Sequence, residues 1–370
     1  MRYLIALLLI IWAGPASAQG TPDQGPDFAR FEAAAAEAWA RDSTGSVTIG
    51  MVRDGQIVAS RSFGLNRSGG SPADLRTIYR IGSVTKSITA VMLLQLVEAG
   101  TVRLTDPVER YVPEIAALRG RPAGSPPITL VQLATHTGGL AGEPEGEGFD
   151  TGPASHWEGK LLAALPATSY QHEPGTRFSY SNIGYGILAL ALSRAARKPY
   201  PDYVAERIFR PLGMTDTSFA LAPRDRARLA TGYMVEGRET SDAESERGHA
   251  GRGYKLPVGG IYTTGADLAK LVAFLMGNGP EQVLRRATLE TASRSLITVD
   301  RNMGEGYGTG FQLFTNGDVV LQGHGGGMPG YRALQVFDRQ SKTGFFVLRS
   351  ALGGRFGDPV LMVFRAYGEQ

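Results

Sequence analysis

The chain has 370 residues, 42% hydrophobic and 20% charged, long enough for a large core and more than one lobe. Its 38 basic and 35 acidic residues leave a net charge of +3, and no basic run or zinc-ligand spacing supports nucleic-acid binding. There are no cysteines, which excludes disulfides, thiol catalysis and a lipid-modified N-terminal cysteine.

Residues 1–18 read as a secretory signal: Arg2 is the positive start, Leu4 to Ala13 the short apolar stretch, and Ala16-Ser17-Ala18 a small-residue cleavage site. Cleavage after Ala18 predicts a mature chain starting at Gln19, periplasmic or secreted. The apolar run is short for a bilayer span, so no stable membrane insertion is expected once it is removed. Residues 19–26, rich in Gly, Pro and Gln, read as a disordered leader. "FARFEAAAAEAWA" (28–40) predicts a helix. "SVTIGMVRDGQIVASRSFGLN" predicts two strands joined at Asp54-Gly55. "RIGSVTKSITAVMLLQLVEAG" (80–100) predicts a helix that is apolar nearly all the way round. A long middle of helical periodicity follows, interrupted by Gly and Pro, with polar segments at 142–160 and 236–254 expected as loops bordering a cleft. "YRALQVF" (331–337) and "GFFVLRS" (344–350) predict two more strands, and Pro359 to Tyr367 a final helix. The expected fold class is α+β: an antiparallel sheet built from both chain ends and flanked by helices, plus a mostly helical second lobe. The sheet lobe would comprise 27–99 and 255–370, and the helical lobe 100–254.

Lys86 is out of place in so apolar a helix unless something uses it. Ser83 lies one turn before it on the same face, at the helix start, where free N–H groups favour negative charge. A lysine desolvated there tends to lose its proton, and a neutral amine beside a hydroxyl can act as its base. Taken singly, a capping serine and a snorkelling lysine would also fit. Two further elements argue for chemistry. Tyr180-Ser181-Asn182 precedes a second very apolar helix; a phenol near a cationic lysine is expected to have a lowered pKa and to shuttle protons, and an amide can hold a substrate amide. His324-Gly325-Gly326-Gly327 ends a strand-like run, where an N–H could join that of Ser83 in an oxyanion hole.

In this order the three elements resemble the serine β-lactamase and penicillin-recognising superfamily, and their Tyr and His variants resemble the branch of class C β-lactamases, D-alanyl-D-alanine carboxypeptidases and related esterases. "LATHTGGL" (133–140), "FRPLGMTDTSF" (209–219) and "VGGIYTTGADLAKL" (258–271) resemble that branch too, so the likeness runs from about residue 28 to the end. The resemblance implies Ser83 as acyl-forming nucleophile and Lys86 as activator. It implies Tyr180 as proton shuttle, sharing the role of base with Lys86, and Asn182, His324, Gly325 and Gly326 as substrate-binding residues. The N–H groups of Ser83 and Gly327 would form the oxyanion hole. No metal or cofactor is implied, and the partner expected is a small-molecule or peptide substrate.

Lys342-Thr343-Gly344 is rejected as the third motif because it lies in a polar turn with only one strand left before the terminal helix. His136 and His249 also precede glycines two residues on, but the first reads as structural and the second as part of a loop. His156 and His172 show no metal-ligand spacing. A histidine at 324 in place of a lysine is mostly neutral at pH 7 and weakens recognition of a substrate carboxylate; Arg332 is the candidate replacement. The expected function is an exported serine hydrolase acting on esters, amides or D-amino-acid peptides. The alternatives are a class C-type β-lactamase, a D-alanyl-D-alanine carboxypeptidase, or a non-catalytic protein that binds cell-wall fragments.

Overall fold

In the computed structural model, residues 26–236, 239–294, 297–298 and 306–368 are described. The signal segment 1–18 and the leader, Pro26 excepted, lie outside these residues.

Asp54 and Gly55 take φ of 48° and 80°, the left-handed pair that a tight two-residue hairpin requires. They join Ser46–Arg53 to Gln56–Gly64, with Arg53 opposite Gln56. The first of these strands also pairs antiparallel with Thr343–Arg349, Val47 opposite Arg349. Thus the two chain ends meet in one eight-stranded sheet. Beyond Thr343–Arg349 its order continues through Tyr331–Asp338, Val319–Met328, Gln312–Asn316, Gly306–Tyr307 and Ile297–Thr298.

The central strands are buried on both faces, so they read as continuous apolar runs rather than alternating ones. On one face lie the helices Phe28–Arg41 and Pro359–Ala366, whose Phe31, Ala35 and Val363 are fully buried against Val47, Ile49 and Val347. On the other face a larger core runs from Phe346 and Leu348 through the helices Thr85–Glu98, Asn182–Ala196 and Gly265–Leu275. The helix Thr85–Glu98 is apolar all round because it is enclosed all round, with every residue from Thr85 to Leu94 buried.

The polar segments are less loop-like than their composition suggests. Trp157 and Leu161, one turn apart, bury one face of a helix, Trp157–Ala164. Within 236–254, Glu239–Ser241 forms a short strand and Ala243–Gly248 a short helix that buries only Ser245. Among the described residues no helix is long and apolar enough to cross a membrane.

Candidate active site

Ser83 sits in a single 3-10 turn, Gly82–Val84, between the short strand Ile78–Arg80 and the helix Thr85–Glu98. Backbone packs directly on backbone here. A Cβ on Gly326 would stand 2.0 Å from the Ile81 carbonyl and 3.1 Å from the Ser83 N. A Cβ on Gly82, whose φ is +49°, would meet Gly327 N at 3.0 Å, and one on Gly259 would touch Gly82 at 3.5 Å. Glycines on three segments therefore press the serine turn against the strand Val319–Met328.

Lys86, in the first turn of the helix, is fully buried. Its Nζ donates to Ser83 Oγ at 3.0 Å and to Asn182 Oδ1 at 2.7 Å, and it stands 4.7 Å over the ring of Tyr180. Burial holds the amine well below its ordinary value, Glu143 partly opposing and Lys255 adding to the shift. The shift favours the free amine over the ammonium.

Tyr180 precedes the helix Asn182–Ala196, which Ser181 caps through its side chain. Its phenol hydrogen-bonds Ser83, yet burial outweighs that contact and pushes the pKa up. The lowering expected from a cationic lysine does not occur, because the enclosure that crowds the phenol also disfavours the lysine's charge. Asn182 is engaged on both sides: Oδ1 accepts from Lys86, and Nδ2 donates to Glu143 Oε1 at 2.7 Å. Glu143 also accepts from the Tyr254 hydroxyl and pairs with Lys255 at 3.1 Å. Sequence reasoning missed these three residues. Glu143 lies in 142–160, Tyr254 at the end of 236–254 and Lys255 one residue beyond it, and no local pattern there announces that they meet.

Gly325 donates its N–H to Gln312 Oε1 at 2.8 Å, away from the partner strand Tyr331–Asp338. Antiparallel ladders alternate, so the Gly327 N–H two residues on points to that same side, beside Gly82. His324 is 1% exposed and does not present its ring to a ligand. Its Nδ1 faces the Gly325 carbonyl at 2.5 Å and must donate, which leaves Nε2 to accept from Tyr307 Oη at 3.0 Å. Burial depresses the imidazole to about 3, the nearness of Lys86 adding and the Gly325 carbonyl opposing. It is neutral at pH 7.

The rejected motif stands apart: Thr343 pairs with Asp338 at one end of the strand Tyr331–Asp338, whereas Gly327 pairs with Arg332 at its other end, on the opposite edge. Arg332 is held by the Gly357 carbonyl and Asp358, so it replaces no missing lysine. His156 is exposed and His172 half-buried. His249 bonds Tyr262 Oη at 2.9 Å. His136, read as structural, is buried within the candidate site, its ring 4.1 Å from that of Tyr180 and its Nδ1 accepting the Ser181 N–H. Beside this group opens a cleft of about 680 Å³, walled by residues from Glu143 to Thr151 and from Glu244 to Lys255, with Pro329 between them.

The chain is 36% identical over 232 residues to the D-alanyl-D-alanine-carboxypeptidase/endopeptidase AmpH of Escherichia coli, covering 61% of this chain and 57% of that one. It is 28% identical over 309 residues to Beta-lactamase-like protein 2 of Dictyostelium discoideum, covering 78% and 53%. The matches thus span little more than half the length of these curated relatives. Among solved structures, the octameric penicillin-binding protein homologue from Pyrococcus abyssi superposes with a TM-score of 0.75 at 25% identity, over 92% of this chain and 76% of that one. The D-amino acid amidase from Ochrobactrum anthropi SV3 shares the fold at a TM-score of 0.77, with 23% identity over 92% and 98%. The Beta-lactamase family model matches residues 31–361, and the chain belongs to that family.

Proposed function

We propose that the chain is an exported serine hydrolase that forms an acyl-enzyme at Ser83 on esters, amides or D-amino-acid peptides. One observation carries this reading: a buried lysine, disposed to give up its proton, lies 3.0 Å from a serine hydroxyl, and Glu143 and Lys255, which bear on that amine, wall the adjoining cleft. The names of the relatives, a D-alanyl-D-alanine carboxypeptidase and a D-amino acid amidase, support the substrate class.

In this reading Lys86 Nζ takes the Ser83 proton as Oγ attacks the scissile carbonyl carbon. The resulting oxyanion lies between the N–H groups of Ser83 and Gly327. Tyr180, whose raised pKa keeps it protonated, gives its proton to the leaving group as the carbon–leaving-group bond breaks, and the Lys86 ammonium restores the phenol. Water then attacks the acyl carbon, passes a proton back through the Lys86–Tyr180 pair, and Ser83 leaves with its hydrogen. Asn182 and Glu143 hold the amine in place. His324, neutral and turned inward, supports the glycine strand rather than contacting substrate.

A fluorophosphonate probe should label the wild type and not Ser83→Ala, and labelling that persists in the variant would end the reading. A panel of nitrocefin, short and long p-nitrophenyl esters and a D-Ala-D-Ala peptide then assigns the substrate. Nitrocefin turnover marks a β-lactamase, and a burst without turnover marks a slowly deacylating carboxypeptidase. The export reading rests on residues 1–18 and expects an exported chain beginning at Gln19 on N-terminal sequencing.

A further inference from the structure

We propose that Arg80 and Arg252 form a carboxylate-binding subsite behind the cleft wall, which receives an anionic group carried by the substrate. The inference rests on the serine hydrolase reading and names the substrates it would favour.

Arg80 ends the strand that leads into the Ser83 turn, and it is 1% exposed. Among the described residues none of its three guanidinium nitrogens has a hydrogen-bond partner, and the guanidinium carbon lies 5.1 Å from the ring centre of Tyr262. Arg349, also 1% exposed, is treated differently, being paired with Asp42 at 2.7 Å. A buried guanidinium with five donors and no acceptor is a costly arrangement unless a ligand completes it.

Arg80 abuts the cleft. A Cβ on Gly248 would stand 2.7 Å from Arg80 Nη1, so the guanidinium packs against a glycine that itself lines the open volume. Arg252 lines the same wall, and its Nε is likewise buried without a partner. His249 Nε2 is a third unpartnered polar atom nearby. Burial and the neighbouring Arg80 charge depress Arg252, with Asp150, Glu143 and Tyr262 opposing. The local acids do not fill it, because Glu143 and Asp150 are held by Lys255.

Two planar guanidinium forks match the geometry of a carboxylate. Glu147 and Glu244, which also wall the cleft, repel any anion and a phosphate dianion more than a carboxylate. The third motif supplies no cation, since His324 is neutral and Arg332 is engaged by Asp358. A carboxylate close to the scissile bond would therefore find its positive partners at the wall formed by Glu244 to Lys255.

The test uses a peptide ending in D-Ala-D-Ala with a free carboxylate, and the same peptide as its C-terminal carboxamide. Both are titrated calorimetrically into Ser83→Ala, so that binding is read without turnover. The acid is expected to bind tighter, and adding Arg252→Gln should reduce the acid-to-amide ratio on the order of 10- to 100-fold. Arg80→Gln should do the same where circular dichroism shows it folded. A ratio near one, or one that Arg252→Gln leaves intact, overturns the subsite. Inorganic phosphate that displaces the acid and the amide equally points to a free-anion site and also overturns it. A wild type that the fluorophosphonate fails to label, or labelling that persists in Ser83→Ala, would instead sink the hydrolase reading, so the two failures are distinguishable.

Discussion

The imidazole of His136 lies 4.1 Å from the phenol ring of Tyr180, and its Nδ1 accepts the N–H of the next residue, Ser181, at 3.0 Å. An accepting Nδ1 leaves the proton on Nε2, and burial holds the ring neutral, far below its ordinary pKa. His136 thus ties the segment carrying Tyr180 and Asn182 to its own turn, where it takes a left-handed φ of 57°. Replacing it by Phe keeps the ring and removes the acceptor, leaving a buried N–H unpaired at a cost of about 1–3 kcal/mol. We expect His136→Phe to lower the urea midpoint and to reduce kcat more than it changes KM. An unchanged kcat would show that Tyr180 is held without it.

Lys86 should be a residue that function needs and stability does not. Its folded pKa is depressed, so between that value and the unfolded value of about 10.5 the unfolded chain binds a proton that the native state does not. Stability therefore rises with pH across that window, by up to about 1.4 kcal/mol per pH unit from this group, and is reduced below it. Lys86→Met should flatten the dependence and raise the unfolding midpoint at pH 7, while turnover falls by about 10³-fold or more. A variant less stable than the wild type at pH 7 would mean that the lysine is held charged.

The serine–lysine pair is legible in the sequence because a lysine inside an all-apolar helix is a local contradiction that invites a chemical explanation. The sheet is legible for the same kind of reason: the Asp54-Gly55 turn and the β-branched runs at both ends are local signals. Other features depend on where distant segments arrive. Glu143, Tyr254 and Lys255 meet only because two polar segments wall one cleft, and nothing in their neighbours' pattern encodes that. The expectation for the Tyr180 phenol fails in a similar way, since it rests on a charged lysine, and burial disfavours that charge and raises the phenol.

Glu143 and Lys255 bear on Lys86 with opposite signs. The carboxylate supports the ammonium form and raises the depressed pKa, and the neighbouring cation lowers it further. In a reaction that needs the free amine, the acid limb of kcat/KM against pH follows that pKa. Glu143→Gln should move the limb to lower pH and Lys255→Met to higher pH, each by a fraction of a unit because Glu143 is nearly half exposed and solvent screens it. Glu143→Gln should also cost about tenfold in kcat, because Asn182 loses its charged acceptor. Limbs that move together, or not at all, would disconnect the pair from the amine.

The glycine strand offers a comparison between neighbours. A methyl group on Gly326 would sit 2.0 Å from the Ile81 carbonyl, and neither backbone can yield without moving the Ser83 turn. On Gly325 the nearest atom would be Gln312 Oε1 at 3.6 Å, an ordinary contact. Gly326→Ala should therefore destabilise by about 2–3 kcal/mol or more and abolish fluorophosphonate labelling, as the serine N–H and Oγ are displaced together. Gly325→Ala should change stability by less than about 1 kcal/mol, the lost backbone freedom of the unfolded chain partly compensating. Thermal unfolding of the two variants side by side decides the matter: equal losses would mean that the close packing of strand on turn is not what positions the serine.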